Sequence, residues 1–455
     1  MLYRCAKGAA RIVSGTDTIY ALATPAGRSG VAVVRVSGPQ AAAALATLTR
    51  RDLPKPRAAT LRRLRAIDGV PIDDALVLWF PAPHSFTGED AAELHLHGGP
   101  AVIAALLAAL GAQHGLRLAE AGEFTRRAFD NDKLDLAQVE GIADLIAAET
   151  EMQRRQALRQ SAGHLRAWLD EERTRLLRVL ARLEAFIDFP DEDLPEQLYS
   201  SIDLEIQGLA DVLGGALADR SGEILREGLE IAILGAPNVG KSSLINILAR
   251  REAAIVSSIA GTTRDVIEVR MDIGGYPVTL ADTAGLRATA DEIEAEGVRR
   301  ALARAEHADL KLLVFDGDDW PAVDRETAKL IDDQAICVVN KADLMREPEP
   351  VAIEGRAPLK LSCRTGLGLD ALVAEIGNRA KTAMGTEQGA LVTRARHRQA
   401  MEEAKAALDR AIKARQPELK AEDLRLAARA IGKIAGRVDV EDVLDLIFKE
   451  FCIGK

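Results

Sequence analysis

The 455-residue chain reads as a multidomain protein of α/β and α+β class. A doubly wound α/β domain is inserted into an all-α domain, with an α+β domain ahead of both. Three observations predict this. Leu229 to Leu234 is a short apolar run followed at once by a glycine-rich loop and a helix-forming stretch, the start of a parallel-sheet domain. Helical periodicity runs from Leu134 to Leu213 and resumes after Arg394, so helices flank that domain on both sides. Ahead of them, residues 17 to about 132 mix short strands, turn signals and helical runs.

In chain order, residues 1–16 are basic, carry no acid before Asp17, and are expected to be disordered. A mitochondrial presequence has this charge, but serine is sparse and amphipathicity poor, so a start assigned too early is the simpler account. Residues 17–132 form the α+β domain. The first helical part spans 133–222, where Leu165, Leu169, Leu176, Leu180 and Leu183 recur on one helix face. Pro190 and Pro195 break the helices there. The α/β domain spans 223–384. The second helical part spans 385–455, with Val440, Leu444, Ile447, Phe448 and Phe451 as one apolar stripe behind Asp439 as N-cap.

The chemistry starts at the loop after Leu234. Gly235, Gly240, Lys241 and Ser242 match the phosphate-binding pattern G-x-x-x-x-G-K-[ST]. Glycines let backbone N–H groups converge on phosphate oxygens, Lys241 adds charge at the β- and γ-phosphates, and the Ser242 hydroxyl can ligate Mg²⁺. The helix from Lys241 aims its positive end at the same place. A second apolar strand, Val278 onward, ends in Asp282-Thr283-Ala284-Gly285; the acid can hold the Mg²⁺ shell and the Gly285 amide can meet the γ-phosphate. A third ends in Asn340-Lys341-x-Asp343. The Asp343 carboxylate can accept from both N1 and the 2-amino group of guanine, which adenine cannot satisfy. Between the first two lies Gly261-Thr262-Thr263-Arg264-Asp265, with Thr263 as a second hydroxyl for Mg²⁺. Four such segments in this order imply a GTPase on a Ras-like doubly wound sheet.

After Asp282-x-x-Gly285 the chain has Leu286 where Ras-type enzymes carry the glutamine that orients water. Asp291, Glu292, Glu294 and Glu296 follow, either as an acidic helix start or with one of them catalytic. Asn238, inside the phosphate loop, can coordinate a monovalent cation or simply form the turn.

Three amino-terminal segments and the carboxyl terminus are more distinctive. They are DTIYALATPAGRSGVAVVRVSG (Asp17 to Gly38), HSFTGEDAAELHLHGG (His84 to Gly99), AGEFTRRAFDNDKLDLAQVEGIADLI (Ala121 to Ile146) and the terminal FCIGK (Phe451 to Lys455). Together with GAPNVGKSSL, GTTRD and DTAGLR they resemble the MnmE (TrmE) family of tRNA-modification GTPases, over nearly the whole chain from Asp17. Residues 1–16 have no counterpart in it.

That resemblance implies a GTP hydrolase acting with MnmG (GidA), the partner that carries FAD. The pair adds an aminomethyl or carboxymethylaminomethyl group to C5 of the wobble uridine of certain tRNAs. The one-carbon unit comes from 5,10-methylenetetrahydrofolate or a related reduced folate, bound in a dimerising amino-terminal domain that the carboxyl terminus reaches. The folate positions fall on Arg35, Glu93, Lys133 and Lys455. A glutamate can accept the paired donors of a pterin, and Arg and Lys can meet the folate tail; Arg35 alone would read as a surface ion pair. Cys452, near the same pocket, is a conceivable thiol catalyst, and packing is the simpler role. The family's K⁺-promoted G-domain dimerisation places K⁺ on Asn238, Ser257, Ile259 and Thr262, and Mg²⁺ on Ser242 and Thr263. The catalytic glutamate matches Glu294, with Arg264 holding it. The GTP contacts comprise Asn238, Val239, Gly240, Lys241, Ser242 and Ser243, then Ser257, Ser258, Ile259, Ala260, Gly261, Thr262 and Thr263, then Asp282, Thr283, Ala284 and Gly285. Asn340, Lys341 and Asp343 complete the base side with Ser362, Cys363 and Arg364, where family members commonly have Ser-Ala. The implied assembly is a homodimer that joins MnmG in a heterotetramer and acts on tRNA.

Composition agrees. Hydrophobic residues make up 48%, and no apolar run approaches the roughly 18 residues of a membrane span. Four widely spaced cysteines suggest reduced thiols and a cytoplasmic protein. The net charge of −10 opposes indiscriminate polyanion binding. The basic stretch Arg50, Arg51, Lys55, Arg57, Arg62, Arg63 and Arg65 could touch tRNA, though a solvated loop and strand edge is the simpler reading. Two rivals remain. An Era- or Der-like ribosome-assembly GTPase would need a KH-like or second G domain, and no such pattern is evident. A non-catalytic scaffold would hydrolyse GTP slowly and without K⁺ stimulation.

Overall fold

In the computed structural model of the chain, the described residues are 17–188, 196–251, 254–255, 268–282, 308–345, 352–385 and 390–436, with Leu444, Ile447, Phe448, Phe451 and Gly454. They divide into two compact units: residues up to Ala143 together with those from Ala435 onward, and Asp144–Ile434.

The first unit contains β1 (Thr18–Leu22), β2 (Ser29–Ser37), α1 (Ala41–Thr49), β3 (Thr60–Arg65), β4 (Pro71–Phe80), β5 (Ala91–Gly98), α2 (Pro100–Gly111), β6 (Leu116–Leu118) and α3 (Glu123–Asp130). Its six strands run in the order β3-β4-β5-β2-β1-β6, antiparallel except for β1 with β6. Val34, Val36, Val77, Leu94 and Leu96 point to one face, where Leu45 and Leu48 of α1 and Leu106 and Leu110 of α2 bury them. The period of two therefore presents Arg35, Glu93, His95 and His97 on the opposite face. Arg62, Arg63 and Arg65 line the edge strand β3, where charge deters pairing with another chain. Arg63 pairs with Asp74 at 2.7 Å, and the Arg50 and Arg65 guanidiniums donate to the Ile67 and Gly69 carbonyls. These arginines lie at a strand edge with protein partners, as the simpler reading expects.

α4 (Leu136–Ala147) starts in the same unit. Leu444, Ile447, Phe448 and Phe451 pack on its Leu136 and Val139 and on Phe129. The sequence assigns everything from 385 to the helical domain, but the described residues from Ala435 onward group with the amino-terminal unit. Their apolar stripe makes that contact, with Leu136 and Val139 of α4 and Phe129 of α3 as the matching surface. Gly436, at φ 79°, turns the chain at the end of the last long helix.

The second unit begins with α5 (Glu151–Ser161), α6 (His164–Asp188), α7 (Glu196–Ala218) and α8 (Ser221–Glu227). A capping box between Thr150 and Gln153 starts α5. The α/β part follows: β7 (Leu229–Leu234), α9 (Lys241–Arg251), β8 (Ala254–Ile255), β9 (Glu268–Ile273), β10 (Tyr276–Asp282), β11 (Leu310–Asp316), α10 (Arg325–Ala328), β12 (Ala335–Asn340), β13 (Leu359–Lys360) and α11 (Leu369–Met384). Its sheet order is β13-β12-β11-β7-β10-β9-β8, parallel from β13 to β10 and antiparallel at the β9 and β8 edge. The central strands are continuous apolar runs because helices cover both faces. α12 (Ala395–Lys413) and α13 (Pro417–Ile434) then return to pack with α6 and α7. Leu165, Leu169, Leu176, Leu180 and Leu183 are all buried, as their spacing predicts.

One carboxylate closes the insertion. Asp144 Oδ1 accepts from Arg226 (3.0 Å), just before β7, and from Arg394 (2.6 Å), just before α12. Nearby, Glu223 takes a forked pair of hydrogen bonds from Arg398. Among the described residues no helix is long and apolar enough to cross a membrane.

Candidate functional site

The phosphate loop leaves β7 at the centre of the sheet and returns as α9. Gly235 stands at φ 153° and Gly240 at φ 100°. A Cβ on Gly240 would collide with the Asn340 amide nitrogen, so glycine is required there by both backbone and neighbour. Asn238 is also left-handed, at φ 62°, a conformation asparagine tolerates better than most residues, so its role as turn former is realised. Lys241 Nζ donates to the carbonyls of Gly235 (2.7 Å) and Ala236 (2.8 Å), which holds the ammonium over the loop. Ser242 and Ser243 are exposed in the first turn of α9, and Val239 is buried beneath.

Asn340, at the end of β12 and 2% exposed, joins this loop to the base side. Its Nδ2 donates to the Val239 carbonyl at 2.8 Å, and its Oδ1 accepts from the Cys363 backbone N–H at 3.1 Å. Lys341 follows at φ 60°, with Nζ 2.5 Å from Asp316 Oδ2. The Ser362 hydroxyl donates to Asp343 Oδ1 at 2.6 Å, and Arg364 lies 3.8 Å from the other oxygen. The Ser362 hydrogen bond leads in holding the Asp343 carboxyl below its ordinary range, so it is an acceptor at neutral pH. Burial pushes the Cys363 thiol up, leaving it neutral. That position meets Asn340 through its backbone N–H and also through its thiol, and the side chain packs on the core beneath the sheet.

Three predicted segments thus converge: Asn238 to Ser243, Asn340 to Asp343, and Ser362 to Arg364. Asp282 ends β10 opposite Ile233 of β7, next to the loop. Ser257, Ser258, Ile259, Ala260, Gly261, Thr262, Thr263, Arg264, Thr283, Ala284, Gly285 and Glu294 lie outside the described residues. Sequence reasoning missed Asp316, the partner of Lys341, and Gly317, whose N–H donates to the Asn340 carbonyl at 2.7 Å. The signal was present: β11 ends in an acid, and parallel pairing aligns Asp316 with Asn340.

In the first unit, Arg35 and Glu93 face each other across β2 and β5. Arg35 donates to Glu93 Oε1 from Nε (3.1 Å) and Nη2 (2.9 Å). The guanidinium also lies over Phe86 and Phe124, 5.5 and 5.7 Å from the ring centroids. The 81–90 loop is pinned by Thr87 to Ser37 at 2.7 Å and by Asn131 to the Thr87 carbonyl, also at 2.7 Å. Lys133 Cε would lie 3.2 Å from a Cβ on Gly88 of that loop. Gly454, at φ 98°, abuts the Leu22 carbonyl at the end of β1, one residue beyond the partner of Arg35. Lys455 and Cys452 lie outside the described residues. Among the described residues no group of three or more His, Cys, Asp and Glu could hold a metal.

Comparison with known proteins fits both halves. Residues 18–133 match the family described as GTP-binding protein TrmE N-terminus, and 136–452, the terminal apolar stripe included, match the MnmE helical domain. The tRNA modification GTPase MnmE of Paramagnetospirillum magneticum is 57% identical over 97% of this chain and 100% of that protein. The protein of the same name from Rhodospirillum rubrum is 56% identical over 96% and 99%. Among solved structures, the G domain of the T. maritima FeoB iron transporter is 26% identical, with a TM-score of 0.26, over 33% of this chain and 98% of that one. With full-length identity at this level and family matches from residue 18 to 452, the chain belongs to the MnmE family of tRNA modification GTPases.

Proposed function

We propose that the chain hydrolyses GTP and, with MnmG, installs the aminomethyl or carboxymethylaminomethyl group at C5 of the wobble uridine of certain tRNAs. The observation that carries the nucleotide half is the Asn340 bridge, which draws the phosphate loop and both base-side loops into one site. Asp343 reads guanine, Lys241 meets the phosphates, and Mg²⁺ is held through Ser242 and Thr263. The Ser242 hydroxyl suits that ion, being exposed at the helix start where the phosphates arrive. Mg²⁺ would neutralise developing charge on the phosphates. Asn238, Ser257, Ile259 and Thr262 would hold K⁺, which would supply positive charge where two G domains pair, and Glu294, held by Arg264, orients water. Relatives named tRNA modification GTPase support the tRNA half of the reading.

The second half concerns the one-carbon unit. The amino-terminal domain, 17–132, binds 5,10-methylenetetrahydrofolate at Arg35, Glu93, Lys133 and Lys455. The helices of 133–222 and 385–455 carry the inserted G domain, 223–384. The protein works in the cytoplasm as a homodimer, joined with MnmG in a heterotetramer. The approach of Gly454 to β1 beside Arg35 supports a carboxyl terminus that reaches this site. Nucleoside analysis of tRNA from a strain lacking the protein is the test. Loss of the C5-modified wobble uridine is expected, and an unchanged nucleoside profile overturns the reading. GTP turnover by the purified chain is expected to be faster in potassium than in sodium buffer; equal rates remove the cation from the scheme.

A further inference from the structure

β5 carries three polar side chains in alternation, Glu93, His95 and His97, on the face away from α1 and α2. Their hydrogen bonding differs. His97 turns to Asp73, with Nδ1 2.9 Å from Oδ1. Glu93 gives one oxygen, Oε1, to both donors of Arg35. His95 Nε2 is buried and has no hydrogen-bond partner among the described residues. It faces the other Glu93 oxygen, Oε2, at 3.5 Å, beyond the roughly 2.7–3.2 Å of a good N–H···O bond. A buried polar atom left in this state costs free energy until a partner arrives. Here that imidazole nitrogen stands beside a carboxylate oxygen whose partner oxygen is already taken by Arg35.

We propose that His95 is a specificity-determining residue of the one-carbon carrier site. It reads the amino substituent of the carrier's 2-amino-4-oxo ring, while Glu93 reads the adjacent ring N–H. This rests on the folate reading of Arg35 and Glu93. Glu93 Oε2 accepts from the ring nitrogen. His95 offers Nε2, which no described protein group meets, as the acceptor for the exocyclic N–H. Arg35 fixes the carboxylate, and Phe86 and Phe124 fix Arg35, so the acceptor pair is held before the ligand arrives. A ring with an apolar group in place of the amine would leave Nε2 buried and unmet.

The test measures binding of tetrahydrofolate and of its 2-desamino-2-methyl analogue to the full chain, by calorimetry, for wild type, His95→Leu, His95→Gln and Glu93→Gln. Wild type should prefer tetrahydrofolate by about tenfold, the worth of one such hydrogen bond. His95→Leu should lose that preference by weakening tetrahydrofolate alone, with GTP turnover unchanged. His95→Gln, whose amide oxygen can accept, should stay within about threefold of wild type. If His95→Leu weakens both ligands equally, or neither, the assignment to the amino group is wrong. A Glu93→Gln protein that loses binding while His95→Leu does not would overturn the role of His95 and leave the folate reading standing. Wild-type protein that binds no tetrahydrofolate would remove the folate reading, and this role with it.

Discussion

Asn340 is engaged by protein groups at both ends of its amide, donating to Val239 and accepting from Cys363. It acts on nucleotide binding through the loops it holds. Replacing it with alanine would orphan a buried carbonyl and a backbone N–H, at a cost of about 1–3 kcal/mol. Asn340→Ala should therefore lower the urea midpoint and weaken GDP binding together. A variant that lost affinity at an unchanged midpoint would show the amide touching nucleotide itself. Gly240 is subject to the same logic, because its missing Cβ is the space that Asn340 Nδ2 occupies.

Among the elements, the junction of β1, β6 and α3 depends on charge. Arg127, 4% exposed, donates to Asp17, Glu89 and Glu123, and Arg117 donates to Asp17 and Glu123. Burial pushes the Asp17 and Glu123 carboxyls up, but the arginines, Arg117 above all, outweigh it and hold both below their ordinary range. A depressed folded pKa contributes stability that is present above the unfolded values, about 3.9 for Asp and 4.3 for Glu, and lost as pH falls through the folded ones. Asp130 works in the opposite sense, since burial raises its carboxyl. Two groups against one predict a melting temperature that is flat from neutral pH to about 5 and falls below about 4. Arg127→Ala should cost about 1–3 kcal/mol at neutral pH, because Glu123 and Asp17 then keep only Arg117 and Glu89 loses its arginine, and should lessen the acid fall. Melting curves across this pH range decide it; an arginine deletion without effect would mean the knot is solvated.

For the molecule as a whole, the carboxyl terminus is tied to the amino-terminal sheet. Phe448 and Phe451 pack on α4, and Gly454 abuts Leu22. At φ 98° a side chain on Gly454 is strained, and its Cβ would also strike the Leu22 carbonyl. Gly454→Ala should displace the terminal residues, weakening tetrahydrofolate binding while GTP turnover stays at the wild-type rate. Equal folate affinity in variant and wild type would place the terminus outside that site. At the other junction, Asp144 grips both crossings of the inserted domain, so the insertion is closed by chemistry as well as by chain connectivity.

The phosphate loop was legible in the linear chain because its chemistry is local. Eight contiguous residues, Gly235 to Ser242, carry the glycines, the charge and the hydroxyl, and the apolar run before them must be a buried strand. The leucine stripe of α6 was legible for the same reason, being a period within one helix. Tertiary structure alone decided the partners: Asn340 with Val239, 101 residues apart, Asp144 with Arg394, 250 apart, and Asp316 with Lys341. It also packed the terminal stripe on α4 and Phe129 and paired Arg35 with Glu93. The physical reason is register. Which side chains meet across a sheet depends on how distant strands align, and a slip of one residue would turn each to the other face. Periodicity within a segment encodes which face is buried, and carries no record of what lies against it.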